Sequence, residues 1–176
     1  MNLGKLSFTP AAEATDLLAT PTKGALTELG NRNIWVSKID PNLADTAAFC
    51  KHYDIGPGIS ANCVIVEAKR ADKTWYAACL ILATDRVDIN GVVRRELDAR
   101  KISFAPMDTA VSLSGMEYGG ITPIGLPKGW PILIDTKVME QDEVVIGSGV
   151  RGSKILVAPS VLAGLPNAKV MDIAKR

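Results

Sequence analysis

The 176-residue sequence predicts an α+β fold, with a mixed β-sheet or barrel-like core surrounded by short helices. About seven strand signals and about four short helix signals follow one another without regular strand–helix alternation. One strand near the middle of the chain is apolar on both faces, which is typical of the buried centre of a sheet. The length fits one domain. We expect residues 31–176 to form it, with residues 1–30 packed on it as an N-terminal arm.

The first third of the chain predicts that arm, two helices and a strand. Residues 1–24 are mostly polar or small and contain two prolines. The following residues predict a short helix over 24–29 that ends at Gly30, and then a strand over 34–39. Asp40 can cap a second helix with Pro41 in its first turn. We therefore expect one continuous helix in that segment.

The rest of the chain predicts a strand pair and then shorter elements. Residues 61–69 and 74–84 flank a polar turn, and the second strand is the one expected at the sheet centre. Asp88 can cap a helix through about residue 97, and Asp108 can cap a short helix to Leu113. The remaining signals are a strand after residue 101, strands over 132–134, 143–146 and 154–157, a helix over 159–165 and a final strand over 168–173.

Composition limits the function classes. The net charge is +1 and only 5% of the residues are aromatic, which argues against a protein that coats nucleic acid by charge or by stacking. The start of the sequence lacks an apolar signal core, and no run approaches the roughly 20 apolar residues of a membrane span. We therefore expect a cytoplasmic protein without a membrane partner.

Most side chains with catalytic potential have structural explanations. His52 is the one histidine, so neither a triad nor a His-based metal site can form from a pair. Cys63 has no base nearby in the sequence and is expected to be a packed thiol. Asp85 and Asp88 suit turn and cap roles. The glycine-rich segment 147–152 predicts a tight hairpin rather than a phosphate loop.

The glycine- and proline-rich segment "GGITPIGLP" is different in kind. Gly119 and Gly120 allow the backbone to come close to a ligand, and Pro123 presets its own φ and restricts Thr122. Such a loop presents main-chain N–H and C=O groups in fixed directions. It is suited to holding an ester carbonyl by backbone donors instead of charged side chains.

The ordered motifs resemble those of a known family. "CVIVEAK", "YAACLILAT" and "VDINGVVRREL" precede "GGITPIGLP", "PILID" and "EVVIGSGVRGSKILVAP". This series closely resembles the YbaK/ProX family, aminoacyl-tRNA deacylases related to the editing domain of bacterial prolyl-tRNA synthetases. The resemblance covers about residues 40–173. It implies a YbaK-like fold and hydrolysis of the ester that joins a wrong amino acid to the 3′ aminoacyl-adenosine end of a mischarged tRNA.

The resemblance also implies a site. Water is the expected nucleophile, held in a backbone-lined pocket with Asn62 and Gly120 as its catalytic positions. The resemblance implies that no metal and no cofactor are needed. The substrate-binding positions that it implies are Gly119, Ile121, Thr122, Pro123, Gly147, Ser148 and Gly149.

One departure leaves two hypotheses open. The family places a lysine where this chain has Asn62, and the neutral amide forms weaker hydrogen bonds than an ammonium group. The first hypothesis is a trans-editing deacylase; the alternative is a catalytically weak or silent module of the same fold that recognises an aminoacyl-tRNA end or a protein partner. Arg94, Arg95, Arg100 and Lys101 suit either acceptor-stem phosphates or a solvated helix face.

Overall fold

The computed structural model of the protein describes residues 1–30 and 33–176, so the predicted boundary between arm and domain falls beside two residues that lie outside it. The strands are β1 Asn2–Leu3, β2 Leu6–Ser7, β3 Thr9–Pro10, β4 Ile34–Lys38, β5 Ala61–Arg70, β6 Lys73–Leu82, β7 Lys101–Phe104, β8 Ile132–Asp135, β9 Val144–Gly147, β10 Ser153–Val157 and β11 Ala168–Met171. The α-helices are α1 Thr20–Leu29, α2 Thr46–Tyr53, α3 Arg94–Glu96, α4 Met107–Ser114, α5 Thr136–Met139 and α6 Pro159–Ala163.

Two open sheets form the framework. The strand order is β3-β4-β10-β9 in the antiparallel sheet and β11-β8-β6-β5-β7 in the mixed sheet. In the latter, β6 is antiparallel to β5 and parallel to β8. The α+β prediction is confirmed, as is the central position of β6. Within the described residues neither sheet closes into a barrel.

The main core lies between the two sheets. Ile65 and Leu80 of the mixed sheet are buried in one cluster with Val36 and Ile155 of the four-stranded sheet. Because side chains alternate along a strand, the other face of each sheet has its own cluster. One is covered by the segment around Val93, and the other by α2 and the first strands.

The structure corrects the predicted starts of two helices. Asp40 caps only a 3₁₀ turn over Pro41–Leu43. A second carboxylate, Asp45, accepts hydrogen bonds from the backbone of Ala47 and Ala48 and begins α2, so the predicted single helix is two. The extended backbone of Asp45, with ψ 133°, separates them. The predicted cap at Asp108 is also wrong, because α4 begins after Pro106 without a side-chain cap.

Other local signals agree with the structure. Helix α1 ends at Gly30, whose φ is +72°. Asp88 accepts from the backbone N–H groups of Gly91 and Val92 at 3.1 and 3.3 Å. The helix that it starts is a π-helical turn, Ile89–Val93, followed by α3. The glycine-rich segment after β9 is a hairpin, as predicted, because β9 and β10 pair directly through it.

The first 30 residues lie against the rest of the chain. β3 adds to the edge of β4, and Leu6 and Phe8 are buried. Helix α1 begins beside two loops, because Gly125 and Gly149 leave room for Pro21 and Ala19. These contacts support an arm packed on a single domain; the division into 1–30 and 31–176 stays a prediction.

Candidate active site

A cavity of about 600 Å³ is lined by residues of both sheets. Its walls come from the start of β5, the segment that joins β7 to α4, the N-terminal end of α2, the loop after α4, and the hairpin between β9 and β10. Four of the predicted site residues line it: Asn62, Gly119, Ile121 and Gly147.

The glycines let the loop after α4 and the hairpin meet backbone to backbone. Gly149 N donates to Gly120 O at 2.7 Å, and Glu117 N donates to Gly149 O at 2.9 Å. A Cβ on Gly120 would lie 2.6 Å from backbone atoms of Val150, and one on Gly147 would lie 2.6 Å from Gly120 O. The close approach predicted for Gly120 is therefore made to the hairpin, and this contact fixes the loop.

The loop still offers free backbone donors. Gly119 and Ile121 stand on either side of Gly120, and both line the cavity. In the part of the chain that the structure describes, neither of their backbone N–H groups has a protein acceptor. Two free N–H groups in the wall of a cavity are the donors that a carbonyl oxygen requires when it gains negative charge.

Four other predicted residues lie behind this wall rather than in it. Thr122 is fully buried, and its backbone N–H contacts Met116 Sδ at 3.5 Å. Pro123 follows it in the interior. The Ser148 hydroxyl is 2.6 Å from Ser153 Oγ inside the hairpin, and a Cβ on Gly149 would overlap Ala19 of the arm. The substrate-binding roles assigned to these residues stay predictions.

Asn62 is held by a neighbouring side chain. Thr46, the first residue of α2, donates from Oγ1 to Asn62 Oδ1 at 2.6 Å. This bond uses the carbonyl end of the amide. The Asn62 NH₂ group has no protein acceptor within the described residues. Asn62 thus offers neutral donors to the cavity.

Arg151 ties three segments of the wall together. Its guanidinium donates to the carbonyl oxygens of Tyr118 at 3.1 Å and Pro41 at 3.0 Å, and its backbone N–H donates to Glu117 Oε1 at 2.7 Å. Gly119, with φ +83°, leaves the space that the guanidinium occupies. The hairpin therefore holds the loop by side-chain bonds as well as by backbone contact.

Sequence reasoning missed Lys154, which also lines the cavity. Lys154 is the second residue of β10, and its Nζ lies 5.1 Å from the centre of the Phe49 ring. Burial is the main cause that lowers the pKa of Lys154; Cys50 and Asp45 oppose the change, and Arg151 adds to it. A lysine that begins an otherwise apolar strand was the one sequence signal for it.

The remaining candidates keep structural roles. Burial raises the pKa of Cys63, which lines the cavity, and raises that of Cys79 to about 12. Both thiols therefore stay protonated at neutral pH, which agrees with packed cysteines. His52 lies in the last turn of α2 with its ring edge-on to Tyr53. In residues 1–30 and 33–176, no three His, Cys, Asp or Glu side chains gather as metal ligands would.

The mouth of the cavity is apolar and a basic groove lies nearby. Phe104 and Tyr118 line the cavity and are 59% and 60% exposed. Further along β5 and β7, a second groove is lined by basic side chains, with Glu67 as its acidic member. Those basic side chains are Lys69, Arg94, Arg100 and Lys101. Among the helices described, none is both long and apolar enough to cross a membrane.

Comparison with known sequences supports the family resemblance of the sequence motifs. Residues 40–165 match the family model described as the aminoacyl-tRNA editing domain. A protein of Enterococcus faecalis (strain ATCC 700802 / V583), provisionally named Cys-tRNA(Pro)/Cys-tRNA(Cys) deacylase EbsC, is 25% identical over 105 residues. The aligned part is 60% of this chain and 63% of the relative, so the match spans under two thirds of that protein.

Solved structures share the fold. The crystal structure of a provisionally assigned trans-editing enzyme for prolyl tRNA synthetase matches with a TM-score of 0.76 at 19% identity, over 97% of this chain and 100% of that one. A crystal structure of a hypothetical protein matches with a TM-score of 0.77 at 17% identity, over 88% and 99% of the two chains. At these identities the likeness concerns the fold alone.

Proposed function

The chain belongs to the aminoacyl-tRNA editing domain family, and from this premise we propose that it is a trans-editing aminoacyl-tRNA deacylase. The substrate is a mischarged tRNA, whose aminoacyl ester enters the cavity. The observation that carries the proposal is that Gly119 and Ile121, whose backbone N–H groups have no protein acceptor in the described part of the chain, line the same cavity as Asn62. Because tRNA is charged and used in the cytoplasm, a tRNA substrate is consistent with the proposed cytoplasmic location.

The geometry supports a simple hydrolysis. Water attacks the ester carbonyl carbon, and the negative charge that develops on the carbonyl oxygen is stabilised by the backbone donors of the loop. The bond from that carbon to the ribose oxygen then breaks, and the ribose oxygen takes up a proton as the free amino acid leaves. Asn62 donates a neutral hydrogen bond to the substrate or to the attacking water. The neighbouring hydroxyl of the terminal ribose would assist the water, as the family resemblance implies.

The surface outside the cavity suits a single-stranded nucleic-acid end. Exposed aromatic side chains can stack on bases, and Phe104 and Tyr118 stand at the mouth. The basic groove along β5 and β7 would then contact acceptor-stem phosphates. This arrangement brings a 3′ aminoacyl-adenosine end to the cavity while the rest of the tRNA stays outside.

The test is ester loss from a panel of mischarged tRNAs, including Cys-tRNA(Pro), under single-turnover conditions. Asn62→Leu removes the amide donors and keeps the branched shape of the side chain, and we expect it to lower the rate constant about tenfold on the tRNA that the wild type hydrolyses. Asn42→Leu is the matched control, because Asn42 is exposed outside the cavity. Gly120 is a poorer target, since any side chain there displaces the hairpin.

Two outcomes would contradict the proposal. A wild-type protein that hydrolyses no member of the panel above the spontaneous rate is not a deacylase of these esters. Tight binding of aminoacyl-tRNA without turnover would favour the silent module instead.

A further inference from the structure

Lys154 carries a charge into a wall where burial is costly. The residue is 8% exposed, and its Nζ donates to the neutral carbonyl oxygen of Ala44 at 3.2 Å. An ammonium group has three N–H donors, and in residues 1–30 and 33–176 no second acceptor bonds to this one. No carboxylate of that part of the chain forms an ion pair with it. Lys154 therefore has donors left for a ligand.

The groups around Lys154 do not neutralise it. Asp45 at the start of α2 and Cys50 within α2 favour its charged form, while Arg151 in the hairpin and burial disfavour it. Cys63 and Tyr118 are the other titratable groups in the cavity wall. Buried ammonium groups without a counter-ion cost stability. The Phe49 ring lies 5.1 Å from Nζ, and this cation–π contact offsets part of the cost of burying the charge without using an N–H donor.

We propose that Lys154 is the cationic contact of this cavity and hydrogen-bonds the ester carbonyl oxygen of the aminoacyl-tRNA; this inference rests on the deacylase function proposed above. Gly147, its register partner on β9, and Ala44, its hydrogen-bond acceptor, both line the cavity with it. The charge comes from β10 of the four-stranded sheet, whereas Asn62, on β5 of the mixed sheet, is neutral.

The step remains an ester hydrolysis. As water adds to the carbonyl carbon, the carbonyl oxygen becomes negative, and Lys154 donates a charge-assisted hydrogen bond to it without giving up its proton. The carbon–ribose oxygen bond breaks, the ribose oxygen is protonated at the expense of the attacking water, and the carbonyl is restored. Lys154 is unchanged at the end of the cycle.

Lys154→Met tests the role, because methionine keeps the length of the side chain and removes the charge. On the tRNA that the wild type hydrolyses, we expect the single-turnover rate constant to fall about tenfold or more. The ratio of the wild-type to the variant rate should be largest where Lys154 is protonated and should approach one as pH rises through its lowered pKa. Lys137→Met is the matched control, since Lys137 is an exposed lysine of α5 outside the cavity.

A second variant separates charge from structure. Asn62→Lys combined with Lys154→Met returns a cation to the same cavity from its other wall, and we expect it to recover much of the lost rate. Thermal unfolding of each variant shows whether it is folded. If the wild type is active and Lys154→Met matches it at every pH, the inference is overturned alone. If the wild type is inactive on the whole panel, the deacylase function fails and the inference with it.

Discussion

Asp135 and Lys154 are the two buried charged residues in the described part of the chain, and their surroundings differ. Asp135, at the end of β8, is fully buried and accepts hydrogen bonds from Ile173 N at 2.9 Å, Lys137 N at 3.2 Å and Arg176 Nη2 at 2.8 Å. Lys154 makes one hydrogen bond to a neutral carbonyl. Groups of the protein satisfy the Asp135 carboxylate with three hydrogen bonds, whereas the Lys154 ammonium keeps donors that have no protein acceptor in the described residues.

This difference separates two reasons for burying a charge. Asp135 joins the start of α5 to the C-terminal segment, and its bonds compensate its desolvation. Lys154 lies beside a cavity with donors to spare, and its bond to Ala44 and its contact with the Phe49 ring compensate its desolvation only in part. A charge of the second kind lowers stability and is kept where function requires it.

Asp135→Ala should have the largest effect on stability. It leaves the buried N–H of Ile173 without an acceptor and removes the buried one of the two carboxylates that pair with Arg176. We expect the free energy of unfolding in urea to fall by about 3 kcal/mol. Asp172→Ala is the matched control, because Asp172 pairs with the same arginine from an exposed position; it should cost less than about 1 kcal/mol. Equal losses in the two variants would contradict the structural role of Asp135.

Lys154→Met should change stability in the opposite direction. Removal of a buried ammonium that the protein compensates only in part is expected to raise the free energy of unfolding at pH 7 by about 1 kcal/mol. Urea unfolding of both proteins measures this. A loss of more than 1 kcal/mol would mean that the bond to Ala44 is a major structural contact and would remove the contrast with Asp135.

The difference in stability between the wild type and Lys154→Met should depend on pH, and the sign of this dependence follows from the direction of the Lys154 pKa shift. Burial lowers the pKa of Lys154 in the folded protein, so the unfolded chain binds this proton more tightly. The wild type should therefore gain stability as pH rises from the lowered pKa towards about 10.4, the value in an unfolded chain. Cys63 and Cys79 act the other way, since burial raises their pKa values, but they are present in both proteins. The difference between the two curves isolates Lys154.

Asp45→Asn should have the smallest effect on stability. It tests whether the Asp45 carboxylate influences the pKa of Lys154. Asparagine caps a helix as well as aspartate does, so α2 should keep its start and stability should change little. The loss of the Asp45 charge should lower the pKa of Lys154 further. An NMR titration of the Lys154 side chain measures the midpoint; an unchanged or higher midpoint would show that Asp45 does not act on Lys154.

Local signals in the sequence were sufficient for much of the fold. Gly30 ends α1 and Asp88 starts a helix because each acts on its own backbone within a few residues. The start of α2 was harder, since Asp40 and Asp45 are both good caps and the backbone between them decides. The first three strands and α5 carry too few residues to show a period.

The candidate site depended on contacts that are distant in the chain. The Asn62 position and the loop around Gly120 could be proposed from motifs. The hydrogen bond between Lys154 and Ala44 joins residues 110 positions apart, and it forms only because α2 packs over the four-stranded sheet. No local pattern shows which strand lysine points inward to such a contact.

The central claim is that the backbone of the loop after α4 holds the aminoacyl ester in this cavity. Its most direct test is an NMR titration with a non-hydrolysable analogue, an adenosine whose amino acid is joined by a 3′ amide. We predict that the backbone N–H signals of Gly119 and Ile121 shift and become protected from solvent exchange on binding. Binding that shifts signals of the basic groove or another surface, and leaves these two unchanged, would contradict the account.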